Sequence, residues 1–260
     1  MDSWVVAVIF VFLLIVSSGR TSADDNTSFY ENYKLTWGFG HALLSNQERE
    51  IQLSLYSNSG GAGFESKVPY ASGFFHIRMK IPDKNSSGVV ATFYITSRSD
   101  NHDEIDIEML GNNGPPCKLH TNLFTNGRGN REQRLNLWFD PTKDFHSYRL
   151  LWNEHQVVFY VDNVPVRVFK NNTKIGKINW SQAPFQAHYQ DFSVAGCVIQ
   201  DNDTQQCYSS KFWWNSEKYW RLNPDEQRSY ENVRSNYLVY DYCSDKRRFP
   251  NQPPECQSNQ

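Results

Sequence analysis

The sequence has no excess of either charge: its 260 residues carry 26 basic and 28 acidic side chains, a formal net charge of −2. Nucleic acids are bound by clustered Lys and Arg, so this balance argues against a nucleic-acid partner. Internal repeats and low-complexity runs are absent, and the charged fraction is only 21%. These absences argue against a disordered chain, and the length suits one large domain or two small ones.

Long apolar runs are lacking except near the N-terminus, where residues 5–16 are all apolar. Such a run is too short to cross the roughly 30 Å core of a bilayer as a helix. Small residues follow it, and Asp24-Asp25 come next, which is the pattern of a cleavage site. The sequence therefore predicts a secretion signal over residues 1–23 and no membrane contact after its removal.

Cysteine is sparse, and the five in the chain lack the closely spaced pairs that zinc sites use, so we predict no metal site. Four of the five lie in the last quarter, which allows three disulfide pairings; sequential pairing would close two short loops. The fifth, Cys117, is predicted to be buried and inert. The four candidates for disulfide bonds are Cys197, Cys207, Cys243 and Cys256.

Five Asn-x-Ser/Thr sequons agree with a secreted protein. Such sequons also arise by chance in an Asn-rich chain, so we expect only some of them to be glycosylated. They are Asn26, Asn85, Asn171, Asn179 and Asn202.

Aromatic residues are abundant, at 15% of the chain, and much of the sequence follows the period of half-buried strands. The dipeptide Asp162-Asn163 separates two such stretches and predicts a hairpin turn. Closely spaced strands with almost no helical pattern predict an all-β fold, an antiparallel β-sandwich over residues 24–196. The strand patterns cover residues 74–81, 88–95, 119–124, 134–139, 157–161 and 164–169.

One helix is predicted near the C-terminus. Asn223 can cap it, Pro224 suits its first position, and Glu226 completes a capping box. The helix extends to about Tyr237, and a short strand follows. We interpret residues 197–260 as an extension that disulfides pin onto the same domain.

The segment HDEIDIEMLG, residues 102–111, alternates strictly between acidic and apolar residues. In a strand, Glu104, Asp106 and Glu108 would project from one face while the apolar residues enter the core. His102 would lie beside them and either tune the acidic cluster or make a structural hydrogen bond. The plain alternative is a solvated strand face, but acidic residues are poor strand formers and neighbouring like charges repel.

Crowded carboxylates push their pKa values apart, so one can stay ionised while another keeps its proton. Retaining glycoside hydrolysis uses such a pair, with the two carboxyl groups about 5–5.5 Å apart. Residues i and i+4 lie about 13 Å apart along a flat strand, so these side chains must lean together on a twisted sheet.

The acidic strand resembles that of glycoside hydrolase family 16, and nearly the whole mature chain resembles the plant xyloglucan endotransglucosylase/hydrolases. An ordered set of segments carries this resemblance. Besides the acidic strand, it includes GFESK (63–67), HTN (120–122), GNREQ (129–133), LWFDPTKDFH (137–146), YCSD (242–245), RFP (248–250) and PPEC (253–256).

The resemblance implies a curved, concanavalin A-like jelly roll with an open cleft for β-1,4-glucan. It implies that Glu104 is the nucleophile and Glu108 the acid/base, with Asp106 holding Glu104 by a hydrogen bond. Phe93 and Tyr94 lie on opposite faces of one strand, so one of them can stack on a sugar while the other packs in the core. Residues expected to bind sugar are His120, Thr121, Asn122, Asn130, Arg131 and Glu132, with Arg248 on the acceptor side.

These expectations describe a monomeric enzyme, secreted to the cell wall or apoplast, that needs no metal ion or organic cofactor. It would cut xyloglucan and pass the glycosyl group to another xyloglucan or oligosaccharide end, or to water. A mixed-linkage β-glucanase is an alternative, because bacterial enzymes of that specificity share the EIDIE string. The C-terminal cysteine extension favours the xyloglucan group.

The chain departs from this resemblance after residue 172. Family members carry a Pro-containing turn and a Trp-rich stretch of the form W-x-A-D-x-W-A-T there. In this chain TKIG (173–176) leads almost directly into NWSQAPF (179–185). The sequence is short by about two strands and their turns. This difference motivates a third hypothesis, a non-catalytic or impaired wall protein that still binds glucan.

Overall fold

The computed structural model describes residues 27–56, 60–83, 85–97, 101–111, 114–171, 192–199 and 204–258. The predicted signal over 1–23, the shortened region 173–180 and the sequons at Asn26, Asn179 and Asn202 lie outside the described residues. Asn85 and Asn171, the two other sequon asparagines, are exposed. Within the described ranges, no helix is both long enough and apolar enough to span a bilayer.

The described residues form fourteen strands and two α-helices. The helices are α1 (Phe29–Asn32) and α2 (Pro224–Asn236). The strands are β1 (Tyr33–Trp37), β2 (Ala42–Ser45), β3 (Glu50–Leu53), β4 (Gly63–Ser66), β5 (Tyr70–Met79), β6 (Val90–Thr96), β7 (Glu104–Leu110), β8 (Lys118–Phe124), β9 (Gln133–Asn136), β10 (His146–Trp152), β11 (Gln156–Val161), β12 (Val164–Lys170), β13 (Val194–Val198) and β14 (Leu238–Asp241).

Two five-stranded antiparallel sheets dominate the fold. Sheet I has the strand order β12-β11-β10-β5-β13, and sheet II has the order β14-β9-β8-β7-β6. Strands β1 and β4 form a separate two-stranded ribbon, and β2 pairs with β3. The predicted all-β sandwich is confirmed, and so is the hairpin at Asp162-Asn163, which joins β11 to β12.

The main core lies between the two sheets. Sheet I contributes side chains such as Ile77 and Leu150, and sheet II contributes Phe93, Ile105 and Ile107, each at most 1% exposed. Burying large apolar side chains of this kind is the dominant stabilising term in a sandwich. One face of sheet II is therefore committed to the core.

The other face of sheet I is covered as well. A second apolar cluster joins Leu151 and Val158 of this sheet to Cys207, Trp214 and Tyr230 of the C-terminal segment. This double coverage explains why all six residues of β11 are buried, since a strand covered on both sides has no reason to alternate. The C-terminal segment therefore packs on the sandwich.

Two disulfide bonds and a capped helix hold the C-terminal segment in place. Disulfides join Cys197 to Cys207 and Cys243 to Cys256, which is the sequential pairing. The side chain of Asn223 accepts hydrogen bonds from two backbone amides at the start of α2, and Glu226 completes the capping box. Helix α2 ends one residue before the expected position, and β14 then joins sheet II. Cys117 forms no disulfide bond, and it is buried as expected.

Candidate active site

The acidic strand β7 lies between β6 and β8 and alternates as predicted. Glu104, Asp106 and Glu108 share one face, and the intervening isoleucines are buried on the other. Cross-strand partners point to the same side of a sheet, so the neighbouring strands extend this surface. We call it the open face of sheet II; it also carries Thr92, Tyr94 and Thr96 of β6 and His120, Asn122 and Phe124 of β8.

Asp106, the middle carboxylate, is only 5% exposed. Burial raises its pKa from 3.8 to about 9, and the charge and hydrogen bond of Glu104 and the charge of Glu108 act in the same direction. The buried guanidinium of Arg167 opposes this rise. A raised pKa on Asp106 and its side-chain hydrogen bond with Glu104 agree with Asp106 as the donor of that bond.

Glu108 has a different environment. Its Oε2 lies 2.5 Å from Nδ1 of His120, its cross-strand partner on β8. The Glu108 side chain is 29% exposed, so solvent reaches it. Glu108 is thus held in a fixed orientation by His120 and remains accessible from the open face.

The run His120-Thr121-Asn122 is divided between the two faces of β8. His120 and Asn122 lie on the open face, but the Thr121 side chain points into the core and is 0% exposed. Its Oγ1 accepts a hydrogen bond from Nη1 of Arg167 at 2.9 Å. The expectation that Thr121 binds a sugar hydroxyl is therefore wrong, because alternation along a strand places it on the core side.

Asn122 and Arg131 hold a loop in place beside the site. The Arg131 backbone amide donates to Oδ1 of Asn122 at 3.0 Å. Its guanidinium donates to Glu255 at 2.8 Å and to the Arg128 carbonyl at 2.7 Å. We therefore assign Arg131 a structural role, bracing this loop against the C-terminal segment, in place of the expected sugar contact.

Three other predicted residues meet near β14. Arg248 donates to Oε2 of Glu132 at 2.9 Å and to Oδ1 of Asn130 at 2.5 Å, across 116 and 118 residues of chain. Tyr240 lies beside them, because its hydroxyl interacts with Arg248 and with Asp245. The structure thus forms one polar cluster here, from the side chains of Arg248, Glu132, Asn130 and Tyr240.

Two residues of the open face, Arg134 and Tyr240, were missed in the sequence analysis. Arg134 of β9 lies opposite His120 on one side and opposite Tyr240 of β14 on the other. Its guanidinium lies 5.2 Å from the centre of the Tyr240 ring. Period-two alternation in 133–136 would have found Arg134, since the buried Gln133 and Leu135 flank it.

The structure also decides between Phe93 and Tyr94. Phe93 is 0% exposed in the core, whereas Tyr94 is the cross-strand partner of Asp106 on the open face. His102 stacks on Phe124, with ring centres 5.3 Å apart, at the Glu104 end of β7. Among the described residues, no group of three or more His, Cys, Asp or Glu is arranged to hold a metal ion.

Two family models together match most of the chain. The model for glycosyl hydrolases family 16 matches residues 29–216, and the model for the xyloglucan endo-transglycosylase (XET) C-terminus matches 208–256. Xyloglucan endotransglucosylase/hydrolase protein 2 of Arabidopsis thaliana is 46% identical over 96% of each chain. Putative xyloglucan endotransglucosylase/hydrolase protein 1 of the same plant is 50% identical over 91% of this chain and 88% of its own.

The first of these alignments spans 280 residues, more than the 260 of this chain, so that relative has residues that this chain lacks. Among solved structures, a β-glucanase of Bacillus licheniformis matches 67% of this chain and 95% of its own, with a TM-score of 0.50 at 23% identity. This likeness concerns the fold and agrees with the expected jelly roll. The chain belongs to glycosyl hydrolase family 16, in its group of xyloglucan endotransglucosylase/hydrolases.

Proposed function

We propose that this protein cleaves the β-1,4-glucan backbone of xyloglucan with retention of configuration and transfers the released glycosyl group to a second xyloglucan end or to water. The names and the identity of its plant relatives support the substrate. The observation that carries the chemistry is the row Glu104-Asp106-Glu108 on one face of β7, where burial and the neighbouring carboxylates raise the pKa of the middle member.

In the first step, a carboxylate oxygen of Glu104 attacks the anomeric carbon while the bond to the leaving oxygen breaks. Glu108 donates its proton to that oxygen, so the departing chain leaves as an alcohol. Asp106 keeps its hydrogen bond to Glu104 and orients the attacking carboxylate. The product of this step is a glycosyl ester on Glu104.

In the second step, Glu108, now ionised, takes the proton of an incoming hydroxyl group. The oxygen of that hydroxyl attacks the anomeric carbon, and the ester bond to Glu104 breaks, which returns Glu104 to its carboxylate form. His120 lies 2.5 Å from Glu108 and orients it throughout. Two displacements at one carbon restore the original configuration.

The choice between sugar and water depends on how well a second chain is held. Arg248, Glu132, Asn130 and Tyr240 offer donors and acceptors at the β14 end of sheet II, and we assign them to the acceptor chain. His120 and Asn122 are assigned to sugar hydroxyls nearer the carboxylates. Binding energy at these positions lowers the loss to hydrolysis because a bound acceptor occupies the place of water.

Secretion to the cell wall is part of this proposal. Two disulfides support an oxidising compartment, and the predicted signal and exposed sequon asparagines Asn85 and Asn171 agree with it. We expect a monomer that acts on a polysaccharide and its oligosaccharides. Treatment of secreted protein with an amidase that removes N-glycans would test which sequons carry sugar.

The test uses protein secreted from a eukaryotic host, incubated with xyloglucan and a labelled xyloglucan oligosaccharide. We expect label to enter the polymer, and the Glu104→Ala variant to abolish this transfer. Falling polymer size without label transfer would mean a hydrolase, and preferential cleavage of barley-type β-glucan would mean the neighbouring specificity. Binding without turnover, in a folded sample, would favour the non-catalytic wall protein. That hypothesis is motivated by the residues that a longer relative has and this chain lacks.

A further inference from the structure

Exposed aromatic and aliphatic side chains concentrate in one part of the described chain, residues 37–56. Half of the ten large apolar side chains with high exposure lie there. Trp37 is 53% exposed, an unusual state for the largest apolar side chain. These five are Trp37, Phe39, Leu43, Leu55 and Tyr56.

The β1–β4 ribbon connects this region to the open face of sheet II. Lys34 of β1 and Glu65 of β4 are cross-strand partners and form an ion pair at 2.9 Å. Glu65 is only 4% exposed. Burial raises the pKa of the Tyr94 hydroxyl, and the nearby carboxyl groups of Glu104, Asp106 and Glu65 raise it further. The side of the ribbon that bears Lys34 and Glu65 therefore faces Tyr94 and the carboxylates.

Trp37 belongs to this same side of the ribbon. It lies opposite Gly63, which is two residues before Glu65 and so shares its face of β4. The irregular register between Leu35 and Trp37 produces this alignment. The indole packs over Gly61, where a Cβ would lie 3.4 Å from the ring. The exposed indole is thus supported from below by backbone.

Strand β6 is the last strand of sheet II among the described residues. A surface can therefore be followed across the strands from β14 to β6 and on to the ribbon. It passes the carboxylates, then Tyr94, then Glu65 with Lys34, and finally Trp37. A glucan chain is long enough to follow such a surface, and it offers flat apolar ring faces edged with hydroxyl groups.

We propose that Trp37, with Lys34 and Glu65 beside it, is a sugar-stacking subsite that extends the glucan-binding surface beyond β6. The indole packs against the apolar face of one pyranose ring, and the Lys34 ammonium donates a hydrogen bond to a hydroxyl of the same or the next sugar. The inference rests on the proposed function and assigns an additional contact to the same substrate.

A subsite far from the reacting carbon binds the substrate equally in the ground state and the transition state. Its loss therefore raises KM and leaves kcat unchanged. The effect must also depend on length, because an oligosaccharide too short to reach Trp37 gains nothing from it. This dependence separates a binding role from a structural one.

The experiment compares Trp37→Ala with a matched control, Trp220→Ala. Trp220 is 44% exposed and packs against His155, in the C-terminal segment that covers sheet I. For xyloglucan polymer, we expect the Trp37 variant to raise KM about fivefold with kcat unchanged. The control should change neither constant, and the shortest oligosaccharide that is turned over should give equal KM values for all three proteins.

Two further variants guard against a folding artefact. Trp37→Leu keeps apolar packing over Gly61 but lacks a flat ring, so it should behave like the alanine variant; Trp37→Phe should recover much of the lost affinity. Equal KM for polymer in the Trp37 and Trp220 variants would overturn the inference and leave the proposed function intact. An unaltered protein that neither cleaves nor binds immobilised xyloglucan would instead overturn the proposed function itself.

Discussion

In the part of the chain that the structure describes, the two sheets have five strands each and the same antiparallel pairing, yet their faces are covered differently. Sheet I is covered on both sides, by sheet II and by the C-terminal segment, and every residue of β11 is buried. Sheet II is covered by sheet I on one side, and no other described element covers its second face, so β7 alternates between core isoleucines and acidic residues. Strand pairing alone therefore does not determine whether a strand can carry polar functional groups. That depends on whether one of its faces is left uncovered.

This difference explains why the charged functional groups lie on sheet II. Like charges on a strand repel, and a sheet with two apolar faces has no place for them. Sheet II accepts three carboxyl groups because its open face exposes Glu104 and Glu108 in part, and because the raised pKa of Asp106 favours its neutral form. Its opposite face keeps the isoleucines of β7 in the core, which holds the acidic row in register.

Removing a group from the open face should break function without breaking the fold. Glu108→Gln should lower the transfer rate about 10³-fold or more, because the leaving oxygen loses its proton donor, while the melting temperature stays near that of the unaltered protein. A glycosyl donor whose leaving group needs no protonation should restore the first step. Glu217→Gln, an exposed site in the C-terminal segment, serves as control, and equal losses in both variants would refute the role of Glu108.

Removing the guanidinium of Arg167, which lies between the sheets, should instead lower the stability of the fold. Arg167 is 1% exposed and donates to the carbonyl and hydroxyl of Thr121, both at 2.9 Å, and to the Arg131 carbonyl at 2.5 Å. Arg167→Met should cost about 3 kcal/mol or more, since it leaves buried acceptors unpaired. Arg134→Met, on the open face, should stay within about 0.5 kcal/mol. Urea denaturation of both variants checks the contrast, which fails if the two losses are equal.

Asp106 combines features of both sheets, because it belongs to the open face of sheet II and yet its side chain is buried. Its raised pKa means that the folded state keeps a proton that the unfolded state releases, so stability falls as pH rises from about 4 to about 9. Asp106→Asn has no such proton and should be more stable than the unaltered protein by about 1–3 kcal/mol at pH 7, with a smaller gain near pH 4. Melting temperatures across this range test it, with the exposed Asp83→Asn as a flat control.

The smallest effect concerns neighbours on opposite faces of β8. Thr121→Val removes a hydrogen bond to Arg167 and should lower stability by about 1 kcal/mol with KM for xyloglucan unchanged. Asn122→Ala should raise KM, since Asn122 lies on the open face and holds the loop at Arg131. Steady-state kinetics and denaturation of both variants decide, and a raised KM in the threonine variant would restore the sugar contact that we reject.

Local patterns in the sequence were sufficient for much of the fold. Alternation identified most strands of the sandwich, the turn at Asp162-Asn163 and the acidic face of β7. The capping residues around Asn223 predicted the start of α2 to the residue. The error at Thr121 came from treating a run of three residues as one site when strand geometry divides it.

Contacts between distant segments could not be predicted in the same way. Arg131 is paired with Glu255 across 124 residues, and Arg167 reaches Thr121 across 46. Nothing near either arginine in the chain indicates its partner, because these contacts exist only once the sheets and the C-terminal segment have packed. The placement of Trp37 beside the open face depends on the same kind of packing, through the ribbon pair Lys34 and Glu65.

The position of β14 in the sequence affects when sheet II can be completed during biosynthesis. This edge strand pairs with β9 and is synthesised after every other described strand, and Arg248 follows it by a few residues. A ribosome-bound nascent chain therefore possesses its acidic strand long before it can complete the rim that Tyr240 and Arg248 form. Such late closure slows folding, as contacts between distant segments do in general. It also means that a truncated chain cannot assemble the full glucan surface, so vectorial synthesis itself delays the moment at which a working enzyme exists.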